Sequence, residues 1–358
     1  MTIVSALLLA LPFAALPAQD RVVRTDGSTV SGRLVSAGLD QVVLQGGDGS
    51  VEIPAGEVLE VRPGPTDPQV ERAFSALEAN DFDMAVNLLD AAGAAAGDDP
   101  AWLKPWLELQ KGLALLAWAR TDPGRSADAV RALGEWADAH PDLWWYPEAR
   151  LAQARASVLA GDTDGAVALL KALSDLAFEK GLPKSLEAEI NLERSRAFLE
   201  AGQTEVAEAR LRDLAGRLPA TDLPRGVRSR LLRIRDQAQI LLGEAVERKG
   251  GPDAAATYWQ GLLDDPQTHV DVRAAALLGL ARGERAAGQL RSAQMRLGHV
   301  VAELPAAADV MARALWELGD VTAELGDHPT AARRYWQRLV DRYPGTPWAA
   351  KARARLEE

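Results

Sequence analysis

The sequence predicts a mainly α-helical fold in which an array of helical hairpins follows a small β barrel. Three observations lead to this fold class. Short Val-rich runs alternate with turn residues between Asp20 and Arg62. Beyond about residue 67 the chain is rich in Ala, Leu, Glu and Arg, and its apolar residues recur three and four positions apart, as on one face of a helix. Seven similar breaks then divide this part of the chain into units of comparable length.

The start of the chain contains an apolar run that is typical of an export signal. Residues 3–18 carry no charge, and the run is shorter than the about 20 apolar residues that a membrane-spanning helix needs. We therefore predict a signal peptide over residues 1–18, cleaved after Ala18, and a location in the periplasm or cell envelope, or secretion. No Lys or Arg precedes Arg21, so an uncleaved anchor or a misassigned start stays open.

Residues 19–62 are predicted to form a small β barrel of about five short strands. The pair Asp26-Gly27 between two apolar runs is a strong hairpin signal, because it supplies the positive φ angles of a type I′ turn. A segment this short cannot form a sandwich, whereas a strongly bent barrel can close on a few Val, Leu and Ile side chains. The spacing from Asp26-Gly27 to Gly32 and Leu34 resembles the start of an SH3-like or Sm-like barrel.

Charge and composition argue against nucleic acid as the partner of this barrel. Sm-like barrels often bind RNA, but the whole chain has a net charge of −11, which repels phosphate backbones. Residues 20–62 hold four Arg against seven acidic residues and no aromatic ring on which a base could stack. We expect a capping or oligomerising barrel. Nucleic-acid binding through an Sm-like module stays open as a rival, and it requires that the apolar start is not a signal peptide.

Residues 63–68, PGPTDP, are a predicted linker, because three prolines and a glycine continue neither a strand nor a helix. Residues 69–358 are then predicted to form seven helical hairpins and a C-terminal capping helix. In each hairpin an alanine opens the second helix, a small residue stands twelve positions earlier, and a large apolar residue stands four positions later. Two antiparallel helices approach closely only where both present small side chains, and a large neighbour fills the space beside that contact.

These three positions recur in all seven predicted hairpins. The alanines are Ala85, Ala129, Ala166, Ala207, Ala255, Ala293 and Ala331. The small residues are Ala73, Ala117, Ala154, Ser195, Gly243, Ala281 and Gly319. The large residues are Leu89, Leu133, Leu170, Leu211, Trp259, Leu297 and Tyr335.

This pattern resembles the tetratricopeptide repeat (TPR) family. The resemblance covers residues 68–358, and it implies a right-handed α-helical superhelix whose concave inner face binds peptides. The intervals between the alanines are 37 to 48 residues, longer than the about 34 of a standard repeat, so we expect longer helices or connections. The last repeat ends in Tyr343-Pro344-Gly345-Thr346, and it is similar to repeats of envelope proteins that act in outer-membrane assembly and cell-division coordination.

The sequence offers little that would support catalysis. It contains no cysteine, which excludes disulfides, thiolate metal sites and a lipid-modified cysteine. None of its four histidines lies three or four residues from another, and no nucleotide-binding loop or nucleophile elbow follows a strand. We therefore predict no enzymatic activity, no cofactor and no metal.

The predicted function is an exported scaffold that mediates protein–protein interactions in the cell envelope, with a protein or peptide partner. A recruiting or accessory subunit of an envelope or cell-wall enzyme is the alternative. Membrane association stays open, although not through lipidation, and the sequence does not predict the oligomeric state.

Two groups of residues are candidates for binding the partner. Six of the ten tryptophans fall within 44 residues, and they indicate either an aromatic groove or core packing between repeats. Trp144 and Trp145 are the candidates among them, because adjacent residues on a helix point about 100° apart and at least one should be partly exposed. Residues 194–235 carry ten Arg against five acidic residues.

The Arg-rich segment contains the second group of candidates, Arg225, Arg228 and Arg235. Arg228 and Arg235 are seven residues apart and therefore lie on one helix face, with Arg225 just before them. They could clamp the carboxylates of an acidic partner. The alternative is a solvated helix surface whose arginines pair with acids on neighbouring repeats.

Overall fold

The computed structural model describes residues 19–357 except 48, 65–66, 99, 218–220 and 327–328. The predicted signal peptide over residues 1–18 lies outside the described residues and stays a prediction.

An antiparallel sheet of five strands forms the start of the described chain. The strands are β1 (Asp20–Arg24), β2 (Thr29–Ala37), β3 (Gln41–Gly46), β4 (Gly49–Pro54) and β5 (Val58–Arg62). Their order is β4-β3-β2-β1-β5, so β4 and β5 are the two edges of an open sheet. The predicted closed barrel is therefore wrong, although the number of strands and the turn at Gly27, where φ is +89°, agree with the prediction.

The sheet stays open because helices cover the apolar face that a barrel would have enclosed. Val22, Leu34 and Leu44 are fully buried and belong to one hydrophobic cluster with Trp102 and Trp106 of the helical part. Closure would gain no further apolar burial once this face is removed from water.

Fourteen α-helices follow in the described part of the chain. They are α1 (Pro68–Glu78), α2 (Phe82–Ala95), α3 (Leu103–Ala119), α4 (Ser126–Ala139), α5 (Tyr146–Leu159), α6 (Thr163–Glu179), α7 (Lys184–Glu200), α8 (Thr204–Gly216), α9 (Arg225–Asp264), α10 (Val270–Ala286), α11 (Leu290–Glu303), α12 (Ala308–Leu325), α13 (Pro329–Arg342) and α14 (Pro347–Glu357). Within α9, Gly251 has a non-helical φ of 77° and Pro252 follows it, so α9 consists of two helices joined at a sharp bend.

Consecutive helices pack as hairpins, and the hairpins stack into a solenoid. The first helices of neighbouring hairpins also contact one another, α3 with α5, α5 with α7 and α7 with α9, and later α10 with α12 and α12 with α14. They form an inner row. The mainly α-helical, TPR-like solenoid that the sequence predicts is thus confirmed.

The buried residues follow the predicted pattern with two corrections. Six of the seven predicted alanines are at most 1% exposed, but in the last hairpin the buried alanine is Ala332 and not Ala331. Its large partner is Trp336, whose indole lies where a Cβ on Gly319 would stand. In the second hairpin the small position is Gly112 and not Ala117, because an added Cβ there would lie 2.8 Å from Leu133 Cδ2.

The sheet is docked against the connections that lead into α3, α5 and α7 and against the first turn of α9. Backbone and side-chain groups of the strands and their turns bond to each of these four places. These bonds are Trp102 Nε1 to Leu34 O at 2.9 Å, Trp144 N to Ala37 O at 3.0 Å, Lys180 Nζ to Asp40 Oδ1 at 2.9 Å, and Gly226 N to Thr25 O at 2.9 Å. The sheet therefore lies against the first part of the inner row of helices.

Candidate functional site

A cleft of about 410 Å³ lies where the edge of the sheet meets the inner row of helices. Four consecutive residues of β5, 58–61, form one wall, and the starts of α5, α7 and α9 form the others. We call it the β5 cleft. Gly226 permits a close contact between the sheet and the start of α9. An added Cβ there would lie 2.6 Å from Leu59 Cδ1 and 2.8 Å from Thr25 O. Only glycine allows the sheet and the start of α9 to approach so closely.

The predicted tryptophans Trp144 and Trp145 both line the β5 cleft. Trp145 is 3% exposed and packs against Trp102 with a centroid distance of 6.1 Å, whereas Trp144 is partly exposed. Trp106 and Trp136 are buried in the core between the helices. Trp106 and Trp136 are therefore part of the core packing, whereas Trp144 and Trp145 line the β5 cleft.

Paired charges connect the walls of the β5 cleft. The Glu189 carboxylate accepts hydrogen bonds from Arg155 Nη2 at 3.2 Å and from Arg230 Nη2 at 2.8 Å. Arg230 also donates through Nη1 to the Leu59 carbonyl at 3.3 Å, so it joins α9 to both α7 and β5. Arg155 donates to Glu193 at 2.9 Å as well. Burial alone would raise the pKa of Glu193, but Arg196 and Arg155 hold that pKa below its ordinary value of 4.5.

Three polar side chains of the β5 cleft have no partner among the described residues. Glu148 and Arg233 form no hydrogen bond or ion pair with any residue that the structure describes. The Ser185 hydroxyl is also without a hydrogen-bond partner in the described chain, and Ser185 is only 1% exposed. Buried polar groups in folded proteins are normally paired, so an unpaired one requires an explanation.

Glu148 lies in an unfavourable environment for a charged carboxylate. Desolvation by the walls of the cleft raises its pKa, and the neighbouring carboxylates of Glu189 and Glu60 raise it further. Arg155 and Arg230 act in the opposite direction, but both are already bonded to Glu189. The side chain keeps access to water at the mouth of the cleft. The charged form of Glu148 is therefore disfavoured, and no cation of the described chain is bonded to it.

The predicted arginines Arg225, Arg228 and Arg235 lie outside the β5 cleft. Arg225 is exposed at the first position of α9, and Arg228 Nη1 donates to the Thr221 carbonyl at 3.1 Å. Arg235 Nη2 pairs with Asp236 at 3.1 Å. The ten helical steps from Arg225 to Arg235 span about 15 Å, so one small group cannot bridge all three. The clamp for an acidic partner stays a prediction.

Sequence reasoning found the segment but missed most of the residues that line the cleft. Arg230 and Arg233 belong to the Arg-rich segment, and Glu148 stands three positions after Trp145. Nothing in the sequence singled out Ser185 or Glu189. These residues come together because α5, α7 and α9 pack side by side and the sheet docks against their starts.

Two further features are absent from the part of the chain that the structure describes. No group of three or more His, Asp or Glu side chains among them is arranged to hold a metal ion. None of the helices that the structure describes combines the length and the apolar character needed to cross a membrane.

The sequence of the last complete hairpin matches a known family. Residues 313–346, in α12 and α13, match the model of the tetratricopeptide repeat family. The chain thus contains a tetratricopeptide repeat at this position, within a TPR-like solenoid. A search of curated protein sequences found no match.

Several solved structures are similar to this chain. A tetratricopeptide repeat protein from Parabacteroides merdae is 14% identical over 76% of this chain and 91% of its own, with a TM-score of 0.46. The apo form of the quorum sensor NprR from B. thuringiensis is 14% identical over 76% of this chain and 74% of its own, with a TM-score of 0.42. NprR in complex with its cognate peptide NprX is 13% identical over 81% of each chain, with a TM-score of 0.43.

Proposed function

We propose that this protein is an exported, non-catalytic scaffold of the cell envelope that binds a segment of a partner protein in the β5 cleft. The observation that carries the proposal is the combination found there. A strand edge, an apolar wall formed by Trp144 and Trp145, and the unpartnered Glu148, Arg233 and Ser185 lie in one concavity of the described chain. Polar groups that converge in a concavity with apolar walls are typical of binding sites.

A polypeptide segment fits this combination better than a small reactant does. A segment of chain offers donors and acceptors along its whole length, and the wall that β5 contributes is itself made of consecutive backbone units. The apolar run at residues 3–18 supports export, and the protein partner is therefore expected in the envelope.

Site-specific photo-cross-linking in living cells tests the binding site. A benzoylphenylalanine at Arg233 in the β5 cleft should cross-link to a segment of one partner protein, identified by mass spectrometry of the joined peptides. The matched control carries the same group at Lys171, an exposed residue of α6 outside the cleft. Equal cross-linking from both positions would contradict the proposal. Cross-links to glycan strands would instead support a recruiting subunit of a cell-wall enzyme.

Cell fractionation tests the predicted export separately. The protein should be recovered from the envelope or periplasmic fraction, and its first residue by N-terminal sequencing should be Gln19. Recovery of the full-length chain from the cytosol would contradict export and would favour the nucleic-acid rival.

A further inference from the structure

The wall that β5 contributes to the cleft includes an unpaired strand edge. Arg24 N donates to Ser28 O at 2.9 Å, so the peptide groups of Arg24 point toward β2. In antiparallel strands the N–H and C=O groups of successive residues point to opposite sides. The N–H and C=O of Val23 therefore point toward β5, where Glu60 is the partner of Val23 in the register. The N–H and C=O of the next residue, Val61, therefore point away from β1 and toward the cleft.

An edge of this kind is a place where another extended chain can add. An added strand bonds through its own backbone, and it gains specificity from pockets that receive alternate side chains. Proteins usually protect such an edge with charge or by covering it. In this sheet Arg230 donates a hydrogen bond to the Leu59 carbonyl, whereas Val61 lines the β5 cleft.

The carboxylates near this edge differ in whether they are already paired. Glu189 is bonded to Arg155 and Arg230, and Glu60 is bonded to Arg62 at 2.5 Å. Glu148 is the carboxylate of the β5 cleft that has no such partner in the part of the chain that the structure describes. A cation that reaches it would relieve the repulsion from its two carboxylate neighbours, whereas an acidic side chain would add to it.

The remaining groups are consistent with a peptide that carries such a cation. The hydroxyl of Ser185 can donate to or accept from a peptide group, which would satisfy a buried atom that has no partner in the described residues. The partly exposed Trp144 offers an apolar surface for the methylene stem of a long basic side chain. Arg233 is exposed at the mouth, where water screens its charge.

We infer that the partner segment binds as an extended strand on the free edge of β5, with its backbone bonded to Val61 and a Lys or Arg side chain directed at Glu148. This inference rests on the proposed function and names the chemistry of the partner segment.

Calorimetric titration of the full-length protein with three capped pentapeptides tests the side-chain part. The peptides consist of Val and Thr with Lys, norleucine or Glu at the centre. The Lys peptide should bind at least tenfold more tightly than the norleucine peptide, and the Glu peptide more weakly than both. Glu148→Gln should reduce the preference for Lys to less than twofold without changing the affinity for norleucine. Glu205→Gln, at an exposed position of α8, is the matched control and should leave all three affinities unchanged.

Backbone methylation of the Lys peptide tests the strand part. Methyl groups on the nitrogens of residues 2 and 4, or on those of residues 1, 3 and 5, remove donors from one edge of the peptide at a time. One of the two peptides should lose at least tenfold in affinity and the other should bind like the parent. Equal binding of both would overturn strand addition, and an unchanged Lys preference in Glu148→Gln would overturn the role of Glu148.

The failure of this inference can be told apart from the failure of the proposed function. If no pentapeptide binds while the Arg233 position still cross-links to one partner segment, the inference is overturned and the proposed function stands. If neither occurs, both are overturned.

Discussion

Both halves of the array carry paired charges on the inner row of helices, but the N-terminal half also contains a carboxylate that has no bonded partner among the described residues. In the C-terminal half, Arg282 pairs with Glu247 at 2.6 Å and with Glu317 at 3.5 Å. Arg313 pairs with Glu244 at 2.5 Å and with the same Glu317 at 2.9 Å. These bonds join α9, α10 and α12. In the N-terminal half the sheet covers the inner row, and Glu148 lies beside it without a bonded partner in the described chain.

Paired charges thus join inner helices in both halves, and the carboxylate of Glu148 stands outside this pairing. A paired charge at a helix contact fixes the relative position of two hairpins, whereas an unpaired one lowers stability without any structural gain. The unpartnered Glu148 and Ser185 lie together in the β5 cleft, where the sheet adds a strand edge. The C-terminal ion pairs join helices to one another, whereas the binding role of the cleft is the function proposed above.

Loss of the contact between sheet and helices should have the largest effect. Trp102 is 5% exposed and its indole N–H is bonded to the Leu34 carbonyl, so Trp102→Ala should reduce the free energy of unfolding by about 3 to 5 kcal/mol. Urea unfolding measures this loss. Limited proteolysis near residues 63–68 should leave the sheet bound to the helices in the parent protein and release it in the variant. Release of the sheet from the parent as well would mean that the two parts fold independently.

Breaking a C-terminal ion pair should come next. Arg282→Met leaves Glu247 and Glu317 without one of their partners, so the free energy of unfolding should fall by about 3 kcal/mol. Arg233→Met in the β5 cleft is the matched substitution, and it should change stability by less than about 0.5 kcal/mol. Equal losses in urea unfolding would remove the distinction between the two halves.

Overpacking the last hairpin should cost less. Gly319→Leu forces a side chain into the indole of Trp336, and the free energy of unfolding should fall by about 1 to 3 kcal/mol. Gly298→Leu is the control, because an added Cβ at that helical glycine meets no atom within 4 Å. An unchanged thermal melting curve for Gly319→Leu would contradict the packing of α12 against α13.

The pH dependence of stability should have opposite signs at two carboxylates. The raised pKa of Glu148 means that the folded protein binds more protons than the unfolded chain above pH 4.5, so stability falls as the pH rises through that range. Glu148→Gln should therefore gain stability at pH 7, by no more than about 1 kcal/mol because solvent reaches the side chain, and little at pH 4.

Glu193 provides the opposite case for the same titration. Its lowered pKa contributes stability above its ordinary value of 4.5 that is lost as the pH falls through the lowered value. Glu193→Gln should therefore lose stability at pH 7. Unfolding experiments at pH 4 and pH 7 check both signs, and a loss at pH 7 for Glu148→Gln would contradict the account of the cleft.

The smallest effect on stability is expected at the start of α9. Replacement of Arg225, Arg228 and Arg235 together with Gln should leave the fold intact and weaken the capture of an acidic partner from an envelope fraction. The loss should shrink as salt is added, because exposed charges are screened beyond about 8 Å at physiological ionic strength. Unchanged capture at low salt would mean that these arginines are solvated surface. A loss of Lys-peptide binding in the triple variant would place the peptide site outside the β5 cleft.

Local features of this fold were predictable from sequence, and contacts between distant segments were not. Helical periodicity and turn residues are local signals, so the hairpins were found. The alanine pattern places the last hairpin one residue early, because Ala331 and Ala332 are adjacent and the sequence alone does not show which one is buried. Whether an apolar sheet face closes on itself or packs on helices depends on distant residues such as Trp102, so the barrel was wrong.

The same limit applies to the candidate site. Trp144 and Trp145 stood out because tryptophan is rare and two of them are adjacent. Glu148 and Ser185 are ordinary residues in sequence, and their place in one cleft depends on the packing of α5, α7 and β5, which are distant in the chain.

Amide hydrogen exchange at Val61 tests the central claim most directly. In the free protein the Val61 amide should exchange faster than the Glu60 amide, which is bonded to β1. Saturation with the Lys pentapeptide should slow exchange at Val61 at least tenfold and leave Glu60 unchanged. Unchanged exchange at Val61 in the saturated complex would contradict strand addition at the β5 edge.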